Sequence, residues 1–154
     1  MNQHAHCYDT NFGNDYATLI ADVKKVNPKA RIVAMNLPNF ALIPVGTTQP
    51  AAVQAALTQF SVGFDVNVIN KLAAGGIPVI DLLCDPRSYL ASNFSADGFH
   101  PNDAGYAIIA SEMEPALVTG IAPAPATSCS QMAAPAGATG KLLNGSERFV
   151  PPKP

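Results

Sequence analysis

The sequence predicts an α/β fold: an incomplete parallel sheet with flanking helices, arranged in three layers, α/β/α. Two short, nearly continuous apolar runs, Arg31 to Leu37 and Ile77 to Leu83, read as strands buried on both faces, which is the pattern of a parallel sheet. Segments of helical periodicity precede, separate and follow them, so the strands are joined by a helical crossover. Only two such runs occur, whereas sheets usually hold about four to six strands. The sheet is therefore expected to be completed by the irregular start, by a segment absent from the chain or by a partner, self-association included.

At 154 residues the chain is one domain or part of one. Its 48% hydrophobic content against 13% charged residues is that of a globular protein. The formal net charge of -2 makes no electrostatic case for nucleic acid or an anionic membrane, and a small uncharged substrate fits better. No apolar run reaches the roughly 18 residues of a membrane-spanning helix. The start, Met1 to Cys7, lacks the basic and apolar regions of a signal peptide. Three cysteines, Cys7, Cys84 and Cys129, allow at most one internal disulfide, and three separate thiols are an equal reading.

Residues 1–14 show no periodicity and are expected to be an irregular start. His4, His6 and Cys7 match no zinc spacing and lack a fourth ligand, so no metal site is expected there. Asp15 caps a helix from Tyr16, with Leu19, Ile20, Val23 and Val26 at helical intervals, and Asn27-Pro28 ends it. Pro38 to Gln49 reads as a loop at the carboxyl end of the first strand, where open α/β sheets bind ligands. Pro50 suits the first turn of a long helix reaching about Ala74, with Val53, Ala56, Leu57, Phe60, Phe64, Val68, Ile69 and Leu72 on or near one face. Gly75-Gly76 stops it.

After the second strand, Cys84 to Phe94 forms a loop, and Asn102 or Asp103 caps a last helix with Ala104, Ile108, Ile109, Met113 and Leu117 as its apolar positions, ending near Gly120. These elements make residues 15–120 the folded domain. Residues 121–154, rich in Pro, Ala, Ser and Thr, are expected to be a mostly irregular tail. Cys129 is its one candidate anchor, and a bridge to Cys84 would tie it beside the preceding loop. No Gly-rich phosphate loop follows either strand, so no cofactor is expected and a small-ligand binding module is disfavoured.

The stretch Ser95-Ala96-Asp97-Gly98-Phe99-His100-Pro101-Asn102-Asp103-Ala104-Gly105-Tyr106 sets a carboxylate three residues ahead of an imidazole where a loop turns into a helix. A serine hydrolase needs a base beside its nucleophile and a carboxylate to hold that base in the right tautomer. Asp97 and His100 can do those two jobs; a helix cap is the plainer alternative.

This block resembles the final conserved block of the SGNH (GDSL-type) serine hydrolases, whose Asp-x-x-His supplies the acid and base of a triad. The Asn27 to Val33, Asn36 to Asn39 and Val79 to Leu82 segments look like the same family's C-terminal part, so the resemblance covers residues 15 to 120. It implies an SGNH, flavodoxin-like sheet, carboxylic ester hydrolysis of esterase or lipase type, a small ester or lipid-like substrate, and a secreted or periplasmic setting.

The resemblance also defines what is not found. No Gly-Asp-Ser occurs, nor a Gly-x-Ser-x-Gly elbow. Gly13-Asn14-Asp15 offers Asn14 as an oxyanion candidate, although the family pattern is Gly-x-Asn-Asp and position 12 is Phe12; a turn and helix cap is the favoured reading. The nucleophile is not identified. Ser88, Ser92 and Ser95 lie in the loop before Asp97 without the exposed strand-to-helix turn a nucleophile needs. Ser61 is expected within the long helix, away from the carboxyl edge of the sheet, and Cys84 is better read as a bridged or buried thiol. Two readings stay open: an ester hydrolase with an unusual nucleophile, or a truncated, catalytically inactive segment of the fold.

Overall fold

The computed structural model describes residues 12–138, and their architecture is mixed helix with a small parallel sheet, an α/β organisation. Helix α1 (Phe12–Val26) leads into strand β1 (Ala34–Met35). A short helix α2 (Pro44–Thr47) follows, then α3 (Ala51–Phe64), a π-helical turn (Asp65–Ile69) and α4 (Lys71–Ala74). Strand β2 (Val79–Ile80) and helix α5 (Asp103–Thr119) complete the order. The strands pair in parallel, Ala34 with Val79 and Met35 with Ile80.

Helix α1 begins at Phe12 instead of Tyr16, so Asp15 sits in its first turn and the expected irregular start ends sooner. Aromatic packing holds that turn: the Phe12 ring lies 5.0 Å from Phe64 and 5.7 Å from Tyr16. His4, His6 and Cys7 lie outside the described residues.

The strands are shorter than their apolar runs. Pro78 O accepts from Ala34 N (2.8 Å) and Ile80 O from Asn36 N (3.0 Å), and there the ladder ends. Side chains then take over the backbone donors: Leu37 N donates to Asp65 Oδ1 (3.0 Å) and Leu83 N to Asn36 Oδ1 (3.0 Å). The chains separate because these donors have partners other than the neighbouring strand.

Side chains alternate along each strand and feed two clusters. Ala34 and Val79 bury with Ile69 beneath Tyr16, Phe64, Val68 and Leu72. Ile80 buries with Leu82 and Ala116, joined by Met35, Ile109 and Met113. The long helical stretch from Ala51 to Ala74 was expected to turn an apolar face inward, but its buried residues before Ile69 are Thr58, Ser61 and Asp65, while Phe60 is 46% exposed. The Asn70 N to Asp65 O bond of the π turn (2.8 Å) inserts an extra residue, which rephases the helix so that Ile69 and Leu72 reach the core.

In α5, Asn102 is the N-cap and Gly120, at φ 74°, the left-handed C-cap. Ile109 and Met113 pack inward as anticipated, whereas Leu117 is 43% exposed and Ala116 takes the buried position. The described part of the tail is irregular apart from a 3₁₀ turn at Ser130–Met132, yet it is tied down. Ala126 N donates to Asp81 Oδ2 (2.8 Å), Asn39 Nδ2 donates to Gln131 O (2.8 Å), and Cys84 is disulfide-bonded to Cys129.

The bridge spans 45 residues of sequence, so it restricts a long loop of the unfolded chain. Cys84→Ala with Cys129→Ala is expected to lower unfolding free energy by about 2–4 kcal/mol, measured by urea titration against the oxidised parent. An unchanged midpoint would show that the bridge adds nothing to the stability of the fold.

Candidate functional site

The segment carrying Asp97 and His100 is a tight turn braced from both ends. Ser95 N donates to His100 O (2.8 Å), Gly98 N donates to Ser95 O (2.9 Å), and Phe94 bridges Pro101. Gly98 has φ +66°, and a Cβ there would lie 3.0 Å from Val45 N and 3.1 Å from Pro44 Cβ, so glycine is required by conformation and by space. Val45 N donates to Gly98 O (3.0 Å), which docks the turn on α2. Asn102 Oδ1 accepts from Ala104 N and Gly105 N, and its Nδ2 donates to Ser92 O and Phe94 O, so one side chain caps α5 and closes the loop before it. At Gly105 a Cβ would stand 2.3 Å from Asn93 O, so the close approach of α5 to this loop also depends on glycine.

Within the turn, Asp97 Oδ1 accepts from Phe99 N (2.9 Å) and His100 N (3.0 Å), while Oδ2 lies 2.5 Å from His100 Nδ1. The bond to the imidazole, reinforced by those two backbone N–H groups, pulls the Asp97 carboxyl down to about 2. Asp97 is therefore an acceptor at any ordinary pH, and a neutral His100 must carry its proton on Nδ1. That leaves the Nε2 lone pair available, with no hydrogen-bond partner among the described residues. The pair is open to solvent, with side-chain exposures of 66% for His100 and 39% for Asp97.

His100 lies at the mouth of a cavity of about 290 Å³ between the end of β1, the turn and the first half of α5, with Met35, Phe40, Phe94, Phe99, Tyr106 and Ile109 among its walls. Ser88 shares this lining, whereas Ser92 and Ser95 do not. Ser95 Oγ donates at 3.4 Å to Pro101 O. No described serine hydroxyl is hydrogen-bonded to the His100 imidazole. Ser61 differs from expectation in place: it sits beneath the loop after β1, fully buried, accepting from Phe40 N (3.3 Å) and donating to Leu57 O (2.8 Å). The bridged Cys84 has no thiol to offer. Asn14 is inside α1 and lines a different cavity, with Tyr16, Asn67 and Lys71, so the structure does not bring it to His100. Among the described residues no group of three or more His, Cys, Asp or Glu side chains is placed to hold a metal, and no helix is long and apolar enough to cross a membrane.

Behind the cavity lies a buried polar layer that periodicity does not reveal. Asn36, fully buried, donates from Nδ2 to Asn70 Oδ1 (3.0 Å) and Asp81 Oδ1 (2.9 Å). Buried Asn39 accepts from Thr58 Oγ1 (3.1 Å) and Ala41 N (3.0 Å). Tyr89 OH donates to Leu83 O (2.6 Å) and accepts from Asn39 N (2.9 Å), and burial pushes its phenol up to about 12. The available signal was positional: Asn36 and Asp81 each interrupt an apolar run, one residue past the paired positions Met35 and Ile80. Asp65 is the outlier of this layer. It is fully buried, its Oδ2 has no partner, and burial, aided by the nearby Asp81 charge and opposed by the Leu37 N–H, raises its carboxyl to about 7.

A family model described as the GDSL-like lipase/acylhydrolase family matches residues 2–108 of the chain. Neither a curated protein nor a solved structure gives a significant match.

A carboxyl raised from 3.8 to about 7 on folding holds its proton more tightly in the native state. Stability due to Asp65 is therefore full below about pH 4, falls as pH rises through the window between about 4 and 7, and is lost above it, by a few kcal/mol in total. Asp65→Asn keeps an acceptor for Leu37 N but has no charge to bury. Urea midpoints of the parent are expected to decline from pH 4 to 8 more steeply than those of Asp65→Asn; parallel profiles would refute Asp65 as the origin.

Proposed function

Because the chain belongs to the GDSL-like lipase/acylhydrolase family, we propose that Asp97 and His100 are the acid and base of a carboxylic ester hydrolase site. The observation that carries this reading is the 2.5 Å contact between Asp97 Oδ2 and His100 Nδ1, with an unpartnered Nε2 beside an apolar cavity. In such a site Nε2 takes the proton of a serine hydroxyl as its oxygen bonds to the ester carbonyl carbon, then returns that proton to the departing alkoxide. Water repeats the sequence on the acyl-enzyme and releases the carboxylic acid. Asp97 stays ionised and stabilises the imidazolium formed in each half.

The lack of any described serine hydroxyl on the His100 imidazole favours a nucleophile supplied by a polypeptide segment outside residues 12–138. The same reading sets the two strands within a wider three-layer α/β/α sandwich, and the Cys84–Cys129 bridge supports a secreted or periplasmic setting. The alternative, that the chain hydrolyses nothing by itself, rests on the same missing serine contact.

Hydrolysis of a short-chain aryl ester by the full chain is expected to fall at least about 10²-fold in His100→Ala, since proton transfer alone contributes that much. Asp97→Asn, which permits the wrong tautomer, is expected to lose up to about 10⁴-fold. Equal rates in the parent and His100→Ala would sink the role of His100. A fluorophosphonate adduct mapped by mass spectrometry would name the nucleophile, and an inert, unlabelled parent would support the alternative.

A further inference from the structure

A run of aromatic rings leads away from His100; toward its far end Phe64 packs on the core at the sheet, and its near end is used by neither the proton transfers nor the sheet. The Phe99 ring stands edge-on to His100 at 5.1 Å, Phe40 lies 5.8 Å from Phe99, and Phe60 stacks on Phe40 at 6.2 Å. Phe64 stacks on Phe60 at 6.2 Å, and Phe12 meets Phe64 at 5.0 Å. The cavity-facing end of this run is Phe40 and Phe99, with Phe94 and Tyr106 on the other walls. Phe99 and Tyr106 line the cavity and remain 37% and 57% exposed, so neither is sealed off from a ligand.

Charge and size narrow what this cavity accepts. Arg87 is the cationic side chain of the lining, but its guanidinium is engaged by Asp85 and by Glu112, at 2.6 Å each. Its charge is already met by two carboxylates, which disfavours an anionic ligand. An apolar cavity of about 150 Å³ suffices for a benzene molecule, so about 290 Å³ holds one ring and a short linker. Aromatic walls favour an aromatic guest beyond simple area burial, because ring edges and faces carry opposite partial charge.

Resting on the hydrolase reading above, we propose that this cavity is a subsite for one aromatic ring, selecting uncharged esters of aromatic acids or alcohols over aliphatic esters of equal size, with Phe40 and Phe99 as the specificity-determining residues. The ring packs in the cavity against the Phe40–Phe99 pair and brings the ester group to the mouth, beside His100.

Binding of 3-phenylpropanamide and of its saturated analogue 3-cyclohexylpropanamide to the full chain, followed by NMR titration, tests this without turnover. The phenyl compound is expected to bind roughly two- to tenfold tighter. Phe99→Leu and Phe40→Leu are expected to bring the ratio close to one while the cyclohexyl compound keeps its affinity. If Phe40→Leu fails to show a cooperative thermal transition, Phe99→Leu, at a more exposed position, carries the test. Equal affinities for the parent would overturn the aromatic selectivity, and no binding of either compound would overturn the subsite. Neither probe is an ester, so absence of hydrolysis with the binding preference intact counts against the hydrolase reading alone.

Discussion

The structure depends on how the backbone donors just past the two strands are satisfied. A parallel pair of two residues per strand supplies few ladder bonds, and beyond it the chains must either find another strand or be capped. Asn36, Asp65 and Asp81 do the capping, accepting from Leu83 N, Leu37 N, Cys84 N and Ala126 N. Because a buried unpaired N–H costs about 1–3 kcal/mol, this side-chain layer decides where the strands stop and where the loops begin. The loop after β1 is then held over Thr58 and Ser61, and the loop after β2 over Tyr89. Both loops end up framing the cavity at His100.

A second consequence concerns the turn itself. Asp97 serves its backbone and its histidine at once, with one oxygen for two N–H groups and the other for Nδ1. The orientation of the imidazole is thus set by four consecutive residues, and the fold needs only to place the turn. It does so through Gly98 against α2 and through Asn102 and Gly105 against the preceding loop. Side-chain exposure of 66% at His100 follows from this economy: the pair is rigid without being buried.

Local features were legible in the sequence, and features built across elements were not. The Asp97–His100 spacing, the Asn102 cap, the Gly120 stop and the two strand positions could be read because each is a property of a few adjacent residues. The start of α1 could not, since Phe12 is held there by Phe64, 52 positions away in the chain. The helical face of α3 and the π turn was misjudged because backbone N–H groups and Asn39 of the loop after β1, and not an apolar sheet, lie over Thr58, Ser61 and Asp65, and periodicity assumes that whatever is buried is apolar. Asn14 fits a motif fragment, yet α1 carries it to another cavity, which spacing alone has no means to show.

Solvent exposure also separates what the pair already has from what a working site requires. At so exposed a pair, water and salt screen the attraction between a carboxylate and an imidazolium. The contact in this chain therefore orients His100 more than it energises it. Covering the mouth, whether by substrate in the cavity or by the segment that brings the nucleophile, would exclude water from Nε2 and strengthen the Asp97 interaction with an imidazolium in the same step. An aromatic substrate seated on Phe99 would contribute to both, since Phe99 already shields one side of the imidazole at 5.1 Å. On the proposed reading, substrate binding and the surroundings of the base would thus meet at one ring, Phe99.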